Sequence, residues 1–204
     1  MSDDTWEQMT DADSKDQWAS LLELCSIHLK QNPKHFQARI PQAIALRHLN
    51  RFNEAIILLQ LTYAEPSTSP KCKSQCERQL GRTFEEMGRF DDARRAFEEA
   101  HCLDPNSTIP IIYRAALELG VGEFAAAREW LNRALECPQG DFDEAHFNIG
   151  STYLCEGNYP KAIEHYQKAI TLDPNYDTAW ERLADATRAF ELRERSGEVA
   201  NTPA

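Results

Sequence analysis

The chain has 204 residues, enough for one ordinary domain or one elongated array of small units. At 42% hydrophobic and 27% charged it suits a folded protein and argues against a mainly disordered one. Lys+Arg of 22 against Asp+Glu of 33 gives a net charge of −11, which disfavours phosphate backbones and anionic membrane surfaces as partners.

Residues 1–16 hold six acidic groups and one lysine, net 1 − 6 = −5. This segment has no apolar core, so it is not a secretory signal, and it is too acidic for a mitochondrial transit peptide. It is expected to be a flexible acidic arm, read either as a solubilising tail or as a shield over a basic face elsewhere in the chain. No apolar run approaches the ~20 residues that span a bilayer. The six cysteines are scattered, which fits reduced thiols and a cytoplasmic location. Residues 17–29 are amphipathic through Trp18, Leu21, Leu22, Cys25 and Leu29, and end at Asn32-Pro33; this is an N-terminal helix. The rest of the chain repeats itself. Gly88, Gly122 and Gly157 stand 34 and 35 residues apart. Each is followed by an aromatic (Phe90, Phe124, Tyr159), then Ala93, Ala127 and Ala162, then Phe97, Leu131 and Tyr166, then Ala100, Ala134 and Ala169. Upstream, Asn50, Phe52, Ala55, Leu59 and Thr62 keep the same offsets. Steps of three and four predict two helices per copy. The central Gly or Asn supplies the left-handed residue that ends the first helix. Asp104-Pro105 and Asp173-Pro174 end the second.

These residues resemble the tetratricopeptide repeat family. The copy at 143–176 matches it through Ile149, Gly150, Tyr153, Gly157, Tyr159, Ala162, Tyr166, Ala169 and Pro174, with His146 where an aromatic is usual. The copy at 74–107 matches through Leu80, Gly81, Phe84, Gly88, Phe90, Ala93, Phe97, Ala100 and Pro105. In 108–142 the first helix departs, with Ala115 at the glycine position and Glu118 at the tyrosine position. A one-residue shift that turns Ala116 and Leu119 inward is the expected adjustment. In 36–70, Pro41 calls for a late helix start or a kink. Residues 177–192, patterned by Ala179, Trp180, Leu183 and Ala184, are expected to form a capping helix, followed by a polar tail at 193–204. The implied fold is an all-α right-handed superhelix of about four helix pairs with end helices, over 17–192.

Nothing in the sequence gathers catalytic groups. There is no phosphate loop, and no cofactor is implied. Cys72 and Cys76, four apart with no second Cys/His pair nearby, do not make a zinc site. His101 and His165 are expected at the surface or at an edge. Glu85-Glu86 and Glu98-Glu99 diverge as neighbours on a helix. The chain therefore reads as a non-catalytic scaffold, an adaptor, assembly factor or chaperone-like protein. Two other readings stand beside this one: a self-associating structural protein, and the regulatory subunit of an enzyme complex.

The resemblance implies that a partner peptide lies along the concave face of the first helices. The side chains concerned are Gln75, Arg78, Gln79 and Arg82 in 74–107, Ile112 and Tyr113 in 108–142, and Phe147, Asn148 and Ser151 in 143–176. In 36–70 the equivalent positions include Ile40, Ile44, Arg47 and His48. Residues 71–95 carry seven basic and five acidic groups, net +2, against −13 for the rest. Arg78 and Arg82 either grip an acidic side chain or C-terminal carboxylate of the partner, or pair with Glu85, Glu86 or Glu77. Tyr113 and Phe147 either touch the ligand or fill the core. Chaperone-binding members of the family carry a two-carboxylate clamp of Lys and Asn at the fifth and ninth positions, with Lys and Arg two repeats later. Here those positions hold Ile40, Ile44, Ile112 and Ala116, so that clamp is missing.

Overall fold

The computed structural model describes Met9, residues 17–138 and residues 140–200, with side chains to residue 196. The acidic arm expected over 1–16 therefore lies, Met9 apart, outside the described residues, as do 201–204. Ten helices run through the described residues in two compact units. The first unit, ending at Pro105, holds α1 (Trp18–Gln31), a 3-10 turn (Phe36–Ala38), α2 (Arg39–His48), α3 (Phe52–Ala64), α4 (Pro70–Glu86) and α5 (Phe90–Leu103). The second, from Asn106, holds α6 (Ile109–Gly120), α7 (Phe124–Leu135), α8 (Phe142–Cys155), α9 (Tyr159–Leu172) and α10 (Asp177–Ala200).

The helices pair through one recurring turn. Asn50 (φ 58°), Gly88 (φ 71°), Gly122 and Gly157 all take the left-handed conformation. In each turn the next residue's N–H reaches back five residues: Arg51 to the Leu46 carbonyl, Arg89 to Phe84, Glu123 to Glu118 and Asn158 to Tyr153, all at 2.8 Å. This bond satisfies a carbonyl that the end of the first helix would leave bare. The second helix starts two residues after the left-handed one, on Phe52, Phe90, Phe124 or Tyr159.

Small residues let the paired helices approach. A Cβ on Gly81 would come within 2.5 Å of the Phe97 ring, and one on Gly150 within 2.8 Å of Tyr166. Ser74 adds a buried tie between α4 and α5, its hydroxyl donating to the Ala100 carbonyl at 2.7 Å. In the first unit Ile40, Leu46, Ala55, Leu59, Cys76 and Leu80 form one core, and Met9 packs with Leu21, Cys25, Ala38 and Ala45 in another. In the second unit Ile111, Ile112, Ala115, Leu131, Ala134, Ala145 and Ile149 pack together. Tyr166 and Ala169 of α9 pack toward Ala179, Leu183 and Ala186 of α10.

One sequence expectation is met and others are modified. Pro41 does delay the start: the 3-10 turn precedes α2, and Pro41 is its third residue, where no helical N–H bond is lost. Helix α6 is not shifted in register. Ala115 and Glu118 are buried and Ala116 and Leu119 only half-buried, because Arg114, one turn before Glu118, forms a buried ion pair with it and also lies over the Trp130 ring. Burial of the pair answers the charge that the tyrosine position received. In α10 the inward residues are Ala179, Leu183 and Ala186; Ala184 is exposed and Trp180 is 50% exposed, its indole N–H donating to the Pro174 carbonyl at 3.1 Å. The helix also continues past 192 to Ala200 instead of giving way to a tail at 193. Arg193 holds this extension in place, donating to the Gly157 carbonyl at 3.0 Å and lying over the Tyr159 ring.

Candidate peptide-binding faces

In the first unit the candidate residues stand on α4. Gln75 is exposed, Arg78 and Arg82 are half-buried, and Gln79 is only 6% exposed. The four are three and four residues apart, so they share one side of α4, away from Cys76 and Leu80 in the core. The Gln79 carboxamide oxygen is buried and meets no hydrogen-bond donor. Next to this row, α2 supplies Arg47, which is 1% exposed and ion-paired with Glu86 of α4. Arg47 also donates to His48 Nε2 at 3.0 Å, and the His48 ring stacks on Trp18 at 3.8 Å. Glu85 sits among these charges. Burial pushes its carboxyl up from the ordinary value, with Arg82 and Arg47 pulling the other way and Glu86 adding to the rise. Arg47, Arg82, Glu85 and Glu86 thus form one charged network across two first helices. Part of the internal pairing expected for Arg82 is therefore present, through Glu85. Glu77 is not part of that network. Burial, and then Glu99 of α5, push its carboxyl up to about 7. Arg47 is the member that the α4 pattern alone missed; its twelfth position in the first copy was the available signal.

The second unit turns most of its candidates inward. Ile112 belongs to the core with Ile149, while Tyr113 is half-buried. Phe147 packs against Tyr166 (ring centres 5.7 Å apart) and Tyr176 (5.0 Å), which makes it a core residue between α8, α9 and the start of α10. Ser151 donates to the Phe147 carbonyl at 3.0 Å and lies 3.2 Å from the Tyr166 hydroxyl. Asn148 is buried and donates to the Glu144 carbonyl and carboxylate, both at 3.0 Å. Tyr176 donates to the other Glu144 oxygen. A polar cluster of Glu144, Asn148 and Tyr176 therefore occupies this face, and Tyr176 is a member the sequence pattern did not single out.

Among the described residues no group of three or more His, Cys, Asp or Glu side chains gathers where it would hold a metal ion. Burial pushes the Cys76 thiol up to about 12, which keeps it protonated and a poor metal ligand or nucleophile. His146 and His165 face each other with Nδ1 atoms 3.2 Å apart, half-buried rather than at the surface. Among the described residues no helix is long and apolar enough to cross a membrane.

Family models described as tetratricopeptide repeat match residues 85–146 and 139–176. The matched stretches contain the Gly88, Gly122 and Gly157 turns, the α6–α7 and α8–α9 pairs and the Gly150–Tyr166 contact described above. Residues 85–176 are tetratricopeptide repeats. Superkiller protein 3 of Schizosaccharomyces pombe is 28% identical over 124 residues, which is 54% of this chain but 9% of that protein. Among solved structures, a thermophilic tetratricopeptide repeat protein of Thermus thermophilus superposes with a TM-score of 0.70 at 21% identity, covering 92% of this chain and 99% of the other. The first repeat domain of Spaghetti, bound to the HSP90 peptide SRMEEVD, superposes with a TM-score of 0.53 at 20% identity, covering 59% of this chain and 95% of that domain. Likeness at these identities shows the fold, an all-α tetratricopeptide repeat solenoid.

Proposed function

We propose that this repeat protein is a non-catalytic, cytoplasmic scaffold that captures a peptide segment of another protein on its first-helix faces. In this reading the main contact is the α4 row of Gln75, Arg78, Gln79 and Arg82, and the segment carries an acidic side chain or a free C-terminal carboxylate. The observation that carries the reading is the charged network joining α2 and α4. It brings Arg47 and Arg82 together with Glu85 and Glu86, with Glu85 driven by burial toward its neutral form. A carboxylate arriving there meets guanidinium groups on a preformed surface, which lowers the ordering cost of binding. The Spaghetti domain's acidic peptide is a precedent for the ligand class. The clamp positions here are Ile40, Ile44, Ile112 and Ala116, and three of the four are core or core-lining residues, so the carboxylate is assigned to the arginines instead. In the second unit, Tyr113 and the Glu144–Asn148–Tyr176 cluster offer a separate polar contact on that unit's own first helices.

The test is affinity selection of a peptide library with free C-termini, followed by titration of the selected peptides. Acidic peptides should be enriched, bind more weakly as salt rises, and lose at least about tenfold in affinity on Arg82→Ala, as expected for a charged hydrogen-bonded contact. Affinities of the Arg78→Ala and Arg82→Ala proteins equal to that of the wild type would overturn the reading.

A further inference from the structure

The second helices α3, α5, α7 and α9 begin at equivalent aromatic residues, so their positions can be matched one to one. Six and ten places into each helix the side chains face outward and are exposed. In α5 these are Arg95 and Glu99, in α7 Glu129 and Arg133, and in α9 Glu164 and Lys168, the last pair joined by an ion pair at 2.7 Å. All three are opposite charges four residues apart, the ordinary way to solvate an outer helix face. In α3 the same two places hold Ile57 and Leu61, 55% and 53% exposed. The core makes no demand for them, since α3 already buries Ala55, Leu59 and Thr62 on its inner side.

A furrow of about 490 Å³ adjoins this face. Leu22 and Ser26 of α1 form one wall, Gln42 and Leu46 of α2 the floor, and Ile57 and Leu58 of α3 the other wall. Its polar atoms are already engaged. Gln42 donates to the Ser26 hydroxyl at 3.0 Å. At the rim, Arg51 donates twice to Glu54, at 2.7 Å each. The mouth therefore offers more apolar than polar surface and no net charge.

We propose that this outer face of α3, with the furrow beside it, is a second docking surface, and that its occupant is one amphipathic helix of another protein. Such a helix lies across Ile57 and Leu61 and sets apolar side chains three and four apart into the furrow over Leu46 and Leu58. A second copy of this chain does not fit the same observations. A stable two-chain interface buries about 800 Å² on each side, whereas this patch is two half-exposed side chains beside a furrow of about 490 Å³. Two copies would also bring together chains of net charge −11 each. Because the rim is neutral, the contact is insensitive to salt, unlike the arginine row on α4.

The experiment uses the full chain and a displayed library of designed amphipathic helices of zero net charge. The comparison protein is the double variant Ile57→Arg with Leu61→Glu, which gives α3 the charge pair that α5 carries and leaves the core untouched. Its far-UV spectrum and unfolding midpoint should match the wild type. Enriched helices should lose at least tenfold in affinity for the double variant, keep their affinity in Arg82→Ala, and bind equally at low and high salt. Four results would overturn the proposal: no enrichment, equal binding to the double variant, loss on Arg82→Ala instead, or a wild-type dimer in sedimentation that the double variant abolishes.

Discussion

Gly150 shows how a single missing methyl group sets the distance between α8 and α9. An added Cβ would lie 2.8 Å from a Tyr166 ring carbon and 3.2 Å from the Ala162 carbonyl. Tyr166 is fully buried, so its ring has no room to retreat. Gly150→Ala should therefore destabilise by about 1–3 kcal/mol, the usual cost of overpacking. Gly120 makes the control. It ends α6, and a Cβ there would meet nothing within 4 Å. Gly120→Ala should be neutral or gain up to about 1 kcal/mol from the lower entropy of the unfolded chain. Urea unfolding of the two variants checks both signs, and a Gly150→Ala protein as stable as wild type would show that the two helices can simply move apart.

Two titratable groups tie helix pairs together and respond to pH in opposite directions. His165 of α9 is held at about 4, first by burial, then by Lys168 and the neighbouring His146, and burial lowers His146 as well. An unfolded histidine titrates near 6.5. Between about 6.5 and 4 the unfolded chain therefore binds more protons. The stability these residues contribute is complete above about 6.5 and declines as pH falls through that window. Glu77 of α4 stands at about 7, chiefly through burial and then through Glu99, while an unfolded glutamate titrates near 4.3. In this case the folded chain binds more protons, so the contribution is present below about 4.3 and declines as pH rises through about 7. His165→Gln should reduce the loss of stability between pH 7 and pH 5, and Glu77→Gln should make that loss steeper. Urea midpoints at the two pH values check this; variants that shift the pH slope in the same direction would contradict the assigned burial.

Across the whole chain, what the sequence made legible was whatever recurs. The left-handed Gly and Asn turns, the Gly–aromatic contacts and the closing Asp-Pro steps each appear several times, so a one-dimensional pattern reveals them. What stayed hidden depends on single pairings in three dimensions. Glu118 looked like a misfit until Arg114 was seen buried beside it, and Phe147 could serve groove or core until Tyr166 and Tyr176 closed around it. The inward face of α10 was legible only in part: Ala179, Leu183 and Ala186 keep the spacing of Ala145, Ile149 and Thr152 in α8, whereas Trp180 and Ala184 do not turn inward. The structure places Ala179, Leu183 and Ala186 of α10 against Tyr166 and Ala169, while Leu192 is exposed. This predicts where truncation begins to matter. A chain ending at 192 keeps every apolar contact of α10 named here and loses the Arg193 ties to Gly157 and Tyr159 and the local Arg195–Glu191 and Ser196–Leu192 contacts, so its unfolding midpoint should fall slightly. A chain ending at 176 uncovers Tyr166, Ala169 and one side of Phe147. A repeat array without its cap exposes the stripe that the next helix should bury, so this shorter chain should unfold at markedly lower urea and aggregate at concentrations where the longer one stays dispersed. Equal midpoints for the two truncated chains would mean that α9 is stable without a cap, and that the contacts of α10 contribute little to the second unit.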